Sequence, residues 1–182
     1  MNVIRDQYVT TDEVRVGDRM ILDMGDLGTF DATIHKVEGN QALIIFDGCV
    51  AEMPMNKELY NWLDGEFKSK LPDWIRDKVL QVTIPTYGMI FGHDEFYKNF
   101  KPDEDEQLPL MRKRRNRVAD YNDDYEWWWL QNKASGSTNF AIVNAYGLTN
   151  NSGAAVHVNG SPDTYDASST LGVRPAIYVL VR

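Results

Sequence analysis

The stretch DYEWWWLQNK, residues 124–133, carries three consecutive tryptophans, Trp127, Trp128 and Trp129. Successive side chains of a β-strand point to opposite faces, so a strand here puts Trp127 and Trp129 on one face and Trp128 on the other. Both faces of that strand are then aromatic, and such a strand must be covered on both sides. The pattern favours a buried central strand over an exposed aromatic binding site.

The first third of the chain has the composition of β-structure. The segments RMILDM (19–24), FDATIHKVEG (30–39) and QALIIFDG (41–48) carry β-branched and apolar residues between Gly and Asp. Gly39 and Asn40 tolerate left-handed backbone conformations and predict a hairpin turn between the second and third segments. Short strands and turns are again predicted in the last third of the chain.

The middle of the chain predicts a first helix in NKELYNWLDGEF (56–67), with Asn56 as its N-cap. Four apolar residues recur there at the spacing of one helical face: Leu59, Trp62, Leu63 and Phe67. The order of β, then α, then β predicts one α+β domain over residues 1–182.

A second short helix is predicted in LPDWIRDKVL (71–80), where Pro72 suits the first turn. Three apolar residues share one face of that helix: Trp74, Ile75 and Val79. We expect QVTIPTYGMIFG (81–92) to return to extended structure and HDEFYKNF (93–100) to add a helical turn.

Charge and cysteine content exclude several classes of protein. The 182 residues carry a formal net charge of -8, which argues against nucleic acid as a partner because phosphate contacts need clustered Lys and Arg. Cys49 is the single cysteine, so no internal disulfide exists, and we read it as a buried structural thiol. The first residues, MNVIRDQYVTTDEVRVGD, contain no signal peptide, and no run approaches 18 apolar residues. We expect synthesis in a cytoplasm and no direct membrane insertion.

The sequence contains no recognised catalytic or metal-binding pattern. His35, His93 and His157 have no partner ligands at zinc-site spacings, and no G-x-S-x-G or P-loop motif is present. We therefore predict no catalytic residues, no metal and no cofactor. The acidic clusters 103–106 and 123–124 are interpreted as solvated charges in the irregular segment 101–125.

The basic run MRKRRNR contains five cationic residues, namely Arg112, Lys113, Arg114, Arg115 and Arg117. Because residues 103–106 just upstream are all acidic, we expect either ion pairs within this loop or contact with a neighbouring subunit. The sequence does not assign a role to the run.

The segment between WWWL and GVRPAI is rich in Asn, Ser, Tyr, Gly and Asp. These residues are turn formers, and they are also typical of adaptable recognition surfaces. Composition alone leaves both interpretations open. The candidate ligand-binding residues in this segment are Gln131, Asn132, Ser135, Ser137, Asn139, Asn144, Tyr146, Asn150, Asn151, His157, Asn159, Asp163, Tyr165 and Ser168.

The end of the chain resembles a domain family of unknown function in gut bacteria and their phages. The family signature is W-W-L-R-S-P-G, then V-x-x-x-G, then G-V-R-P-A-[IL]. In this sequence the first part matches at residues 128–130, the second at Val143 and Gly147, and the third at residues 172–177. Weaker matches, including YNWLDGEF (60–67) and MIFGHDEFYKNF (89–100), extend the resemblance from about residue 15 to the end.

The resemblance implies a C-type-lectin-like fold of short antiparallel strands with two helices. Related domains carry the variable regions of diversity-generating retroelements, in which mutagenesis of adenines diversifies a ligand-binding surface. Phage members lie on the virion and bind host-surface ligands. The resemblance thus implies a non-enzymatic, virion-associated binding protein, with a protein or glycan on a host surface as its partner, in which homo-oligomers would add avidity. The alternative is a structural or assembly subunit without a diversified site.

The same resemblance divides the chain into a scaffold, residues 15–130 and 171–182, and a display region, residues 131–170. Trp128 and Trp129 match scaffold positions, whereas Trp127 precedes the signature and is free to be exposed. The family's Arg and Ser after W-W-L are Gln131 and Asn132 here, which is consistent with a variable segment that opens at this point. Arg174 is expected to anchor its strand through hydrogen bonds to backbone or carboxylate groups, and Pro175 to follow a bulge or edge position.

Overall fold

The computed structural model describes residues 14–146 and 158–181, with backbone alone at 145, 146, 158 and 159. The predicted α+β class is confirmed, with mostly antiparallel strands and few helices. The strands are β1 Arg19–Asp23, β2 Thr29–Glu38, β3 Gln41–Phe46, β4 Ala51–Met53, β5 Val79–Thr83, β6 Ala119–Tyr121, β7 Asp124–Glu126, β8 Trp128–Lys133, β9 Asn139–Tyr146, β10 Val158–Asp166, β11 Leu171–Val173 and β12 Ala176–Leu180. The helices are α1 Lys57–Trp62, α2 Lys68–Lys70, α3 Asp73–Arg76 and α4 Tyr87–Phe91, with a π-helical segment, Leu63–Phe67, between α1 and α2.

The strands form two five-stranded sheets and one small hairpin. The first sheet has the order β1-β2-β3-β12-β5, and the second sheet has the order β10-β9-β8-β11-β4. The chain passes from the second sheet to the first through Arg174 and Pro175, which lie between β11 and β12. Pro175 was expected at a bulge or edge, but it links the two sheets, and its carbonyl accepts a hydrogen bond from Phe46 N at 3.0 Å.

Two hydrophobic cores lie on opposite sides of these sheets. Trp129 belongs to the first core together with Ile142, whereas Trp128 belongs to the second core together with Val143. Both indoles are fully buried, at 0% exposure. The register pairs Trp128 with Val143 and Trp129 with Ile142, so neighbouring positions of β8 and β9 alternate between the two cores. The predicted central strand, covered on both faces, is confirmed.

The strands of the first third lie where the sequence predicts them, and the β2–β3 hairpin closes at Glu38 and Gln41. Gly39 takes a left-handed conformation with φ of 60°. Asn40 was also expected to do so, but it is not among the residues with positive φ. One left-handed glycine at the first turn position is enough for a two-residue hairpin turn.

The first predicted helix is confirmed. The side-chain oxygen of Asn56 accepts hydrogen bonds from the amides of Glu58 and Leu59, at 2.9 and 3.2 Å, and so caps α1. The second helix is shorter than predicted, because α3 ends at Arg76 and Val79 already begins β5. Trp74 is 58% exposed, so it does not share the buried face of Ile75.

The prediction of extended structure across residues 81–92 is wrong for its second half. Residues 87–91 form α4, and all five of its residues are buried. Thr86 caps the helix, since its hydroxyl accepts a hydrogen bond from Met89 N at 3.2 Å. The remaining amides of the first turn are satisfied by side chains that are distant in sequence, which local periodicity does not show.

Segment 101–125 is largely irregular, as predicted, with 3-10 turns at Pro109–Arg112 and Arg114–Asn116 before the β6–β7 hairpin. The expected ion pairs within the loop are not formed: among the described residues, no salt bridge joins residues 103–106 to the basic run. Arg117 instead donates from Nε to the carbonyl of Met111 at 2.6 Å, and its guanidinium lies 5.0 Å from the ring centroid of Phe91.

Cys49 is buried, as predicted, and burial raises the pKa of its thiol. Its sulfur packs against the backbone of Gly172, where a Cβ would stand 2.5 Å from Cys49 Sγ and 3.0 Å from Trp127 O. Gly172 N donates to Trp127 O at 2.8 Å. A side chain at position 172 would therefore push β11 away from the start of β8.

Arg174 connects three parts of the fold, and its predicted anchoring through backbone groups is confirmed. Its Nε donates to Phe46 O at 2.6 Å, and one Nη donates to the carbonyls of Asn116 and Arg117 at 3.1 and 3.3 Å. The guanidinium lies 4.8 Å from the Trp128 ring centroid, and Trp128 Nε1 donates to the same Arg117 carbonyl at 2.9 Å. Burial lowers the pKa of Arg174 to about 10, so it stays charged at neutral pH.

We expect Arg174→Lys to lower the free energy of unfolding by about 3 kcal/mol, because a lysine cannot reach the three carbonyls together and leaves a buried charge poorly paired. Urea unfolding followed by tryptophan fluorescence measures the change. Arg112→Lys, at an exposed position, is the control and should change stability by less than about 0.5 kcal/mol. Equal stability of the two variants would contradict the anchoring role.

Candidate functional site

The structure separates the predicted ligand-binding residues into three groups. Gln131 and Asn132 lie in β8, inside the scaffold. Ser135 and Ser137 belong to the turn between β8 and β9, Asn139 begins β9, and Ser168 lies in the turn after β10. The third group lies on the β9–β10 hairpin and contains Asn144, Asp163 and Tyr165.

Gln131, where the display region is predicted to open, is half-buried and bonded to the first sheet. Gln131 Nε2 donates to Thr83 Oγ1 at 3.0 Å and to Ile84 O at 2.6 Å, which fastens β8 to the end of β5. Asn132 is only 5% exposed. Gln131 joins the second sheet to the first and Asn132 is buried, so the contacts of the scaffold continue at least to Asn132.

Asn132 also organises the start of α4. Its Oδ1 accepts from Tyr87 N at 2.6 Å, and its Nδ2 donates to Lys101 O at 2.9 Å and to Asp103 Oδ2 at 2.7 Å. The same Asp103 oxygen accepts from Gly88 N at 3.1 Å. Two side chains from separate segments thus satisfy the first two amides of the helix.

The acidic cluster 103–106 is therefore not a purely solvated charge run. Asp103 caps α4, and Asp105 accepts a hydrogen bond from the Thr86 hydroxyl at 2.7 Å. Both carboxylates are half-buried, whereas Glu104 and Glu106 are exposed. The interpretation as solvated charge is wrong for the two aspartates because the helix start needs acceptors from outside its own segment.

The turn residues of the second group bond mainly to one another. Ser137 Oγ accepts from Asn139 N at 3.0 Å, and Ser168 donates from its hydroxyl and its amide to Asp166 Oδ1 at 2.5 and 2.9 Å. The Ser168 hydroxyl is the main reason that the pKa of Asp166 lies below its usual value. Ser137 and Ser168 are thus used as turn formers, which is one of the two roles that composition leaves open.

The third group shares one face of the β9–β10 hairpin. The register pairs Ser161 with Asn144, Asp163 with Ile142 and Tyr165 with Phe140. Directly paired residues point to the same side of a sheet, so Asn144, Ser161, Asp163 and Tyr165 share the side on which Ile142 enters the first core.

Trp127, which lies between β7 and β8, extends this surface. Its ring meets Tyr165 edge to face, with centroids 5.4 Å apart. We call the set of Trp127, Asn144, Ser161, Asp163 and Tyr165 the hairpin face. Asp163 is exposed, Tyr165 is 38% exposed, and the other three are half-buried. The sequence predictions did not group Ser161 and Trp127 with the other three residues. The alternation of side chains along the strands, counted from Ile142 and from Trp129, is the signal that could have grouped them.

The side chains of several predicted ligand-binding residues lie outside what the structure describes. Asn150, Asn151 and His157 lie outside the described residues, and Tyr146 and Asn159 are described by their backbone alone. Tyr146 pairs with Val158 at the far end of the hairpin, and a bulge separates Val158 from Ser161.

A carboxyl group borders the hairpin face. Glu126 Oε1 accepts a hydrogen bond from Trp127 N at 2.9 Å. Burial, and then the nearby carboxyl of Glu52, raise the pKa of Glu126 above its usual value. The surface therefore offers aromatic edges, an amide, a hydroxyl and carboxylates, which are hydrogen-bonding and stacking groups suited to recognition.

No cluster of three or more His, Cys, Asp or Glu side chains capable of holding a metal ion occurs among residues 14–146 and 158–181. Over the same residues, no helix is long and apolar enough to cross a membrane. Comparison of the chain with protein-family models, with curated proteins and with solved structures gives no match. The hairpin face must therefore be interpreted from its own geometry.

The scaffold role of Asn132 predicts a stability effect at this position. We expect Asn132→Ala to lower the free energy of unfolding by about 2 to 4 kcal/mol, because it leaves the buried amide of Tyr87 and the carbonyl of Lys101 without partners. Asn139→Ala, at the first residue of β9, should cost less than about 1 kcal/mol. Thermal and urea unfolding measure both changes, and a cost for Asn132→Ala as small as that for Asn139→Ala would return Asn132 to the display region.

Proposed function

We propose that the chain is a non-enzymatic ligand-binding protein that uses the hairpin face for recognition. The observation that carries the proposal is the contrast between neighbouring strands of one sheet. Trp128 and Trp129 are buried on opposite sides of β8, whereas two strands away Asp163 and Tyr165 stand exposed on β10. Rigid strands that carry accessible Tyr, Asp, Asn and Ser side chains suit a recognition surface.

The resemblance of WWL and GVRPAI to the gut phage and bacterial family supports a finer form of this proposal. In it, the fold is C-type-lectin-like, the copy is phage-encoded and virion-associated, and the surface after Asn132 is diversified. The positions Gly172 and Arg174 of GVRPAI support it further, because Gly172 allows β11 to lie close to the start of β8 and Arg174 joins the two sheets. The ligand is then a protein or glycan on a host surface.

The gene sequence tests the diversification. A near-copy of the segment for residues 133–170 close to the gene, differing from it at adenines and accompanied by a reverse transcriptase gene, is the expected finding. A genome neighbourhood without such a repeat would remove the retroelement part of the proposal and leave the recognition part to be tested by binding.

The recognition surface is tested with the double variant Asp163→Ala/Tyr165→Ala. We expect labelled full-length chain to bind particular strains in a panel of intact bacterial cells, and the double variant to lose at least tenfold in affinity by flow cytometry. Tyrosine and charged hydrogen-bond partners commonly dominate such interfaces. Thr164→Ala is the matched control, because Thr164 lies between the two residues but points to the other side of the sheet.

Two outcomes would contradict the proposal. Strain-specific binding that survives the double variant places the ligand site elsewhere. Binding to no cell, together with self-association in analytical ultracentrifugation that the double variant abolishes, would instead indicate the alternative of a structural or assembly subunit.

A further inference from the structure

A polar cavity that shares no lining residue with the hairpin face lies beside the first sheet. It has a volume of about 370 Å³ and is bordered by β1, β2 and Asp47 on one side and by the 3-10 turn Arg114–Asn116 on the other. Arg19, His35, Asp47, Arg115 and Arg174 are among its lining residues. Neither the predicted display region nor the proposed function uses this cavity.

The cavity contains more positive than negative charge, although the whole chain carries a net charge of -8. Arg19, Arg115 and Arg174 line it, with Asp47 as the lining carboxylate. Asp47 is already engaged, since Oδ2 lies 3.0 Å from Arg19 Nη2 and Oδ1 accepts from the Thr33 hydroxyl at 2.7 Å. Arg19 Nη2 also lies 3.5 Å from Asp31 Oδ2. Asp31 and Asp47 therefore form their direct ion pairs with Arg19 and not with the other two arginines.

Arg174 and Arg115 carry positive charge that no direct ion pair neutralises among the described residues, although Asp47 and Asp120 attract Arg174 from beyond ion-pair distance. The hydrogen bonds of Arg174 all go to neutral backbone carbonyls. Within the described part of the chain, Arg115 makes no salt bridge. A guanidinium offers five donors in a planar fork, which matches the oxygen atoms of carboxylate and phosphate groups.

His35 supplies a second, independent observation. It lies at a bulge in β2, between Ile34 and Lys36, and is only 3% exposed. Its buried Nδ1 has no hydrogen-bond partner among the described residues. Buried polar atoms nearly always have a partner, so this histidine is an incomplete polar site.

We propose that the cavity binds a small molecule through an oxyanion, a carboxylate or phosphate group held between Arg115 and Arg174, with His35 as a further hydrogen-bonding group. The volume exceeds that of a lone phosphate and fits a ligand of about the size of a charged sugar. An extended polyanion does not fit the overall acidity of the chain. The proposal does not rest on the function assigned to the hairpin face.

The test measures binding of three probes to the full chain by calorimetry at fixed ionic strength: inorganic phosphate, glucuronate and glucose. We expect one or both anions to bind and glucose not to bind. Arg115→Gln should weaken anion binding about tenfold, as expected for loss of a charge-assisted hydrogen bond. Arg115 is exposed and forms no ion pair with the described residues, so its substitution should not disturb folding.

Arg112→Gln is the matched control, because Arg112 is an exposed member of the same basic run that does not line the cavity. Its affinity for the anions should stay within twofold of the original. Binding of phosphate without glucuronate, or the reverse, supports the proposal and identifies the group. Failure of both anions to bind, or equal weakening by the two substitutions, overturns it.

The pKa of His35 distinguishes binding in the cavity from general attraction of anions to the protein. Burial, and then the charge of Arg174, lower the pKa of His35 to about 4, whereas Asp47 acts in the opposite direction. Arg19 and Arg115 also border the cavity. A bound oxyanion favours the imidazolium form, so the pKa of His35 measured by NMR should rise when glucuronate is added. The signals of His93, which does not line the cavity, should not move; unchanged His35 signals at saturating anion would contradict the site.

Discussion

Trp128 and Arg174 hold the molecule together at the point where its two sheets meet. The indole ring fills the second core, and its Nε1 shares the Arg117 carbonyl with the guanidinium above it. Arg174 then reaches Phe46 in the first sheet. A buried guanidinium is costly without partners, and here the partners are carbonyls from two loop residues and one strand end. If any of these segments moved, the buried charge of Arg174 would lose a hydrogen-bond partner in an apolar environment.

The remaining architecture depends on this junction. Since Trp128 and Trp129 face opposite cores, β8 cannot slip by one residue without exchanging the two indoles between cores. The register of β9 is therefore determined by β8, and the register of β10 by β9. That chain of pairings places Asp163 and Tyr165 on the same side of the sheet as Ile142, where both are exposed because β10 is the edge strand. A recognition surface on such a hairpin can change its outward residues without changing the core.

Sequence patterns predicted β1 to β3, the Asn56 cap and the buried tryptophans, because each depends on neighbours that are close in the chain. The failures have a common cause. Residues 87–91 read as extended, yet Asn132 and Asp103 supply the acceptors that start a helix there. Asp103 and Asn132 in turn read as solvent-facing because their partners lie 15 to 45 positions away in the sequence. A polar side chain is predicted to be exposed when its hydrogen-bond partner is distant in the sequence.

The sequence alone determined the α+β class, the central double-sided strand, the buried Cys49 and the anchoring of Arg174, since alternation, composition and the need of a buried charge for partners are local properties. Only the tertiary structure decided where the scaffold ends, which polar residues share a face, and that Arg19, His35, Arg115 and Arg174 border one cavity. Those outcomes depend on strand register, on a bulge at His35 and on loops that return to distant strands. None of these features produces a periodic pattern of residues in the sequence.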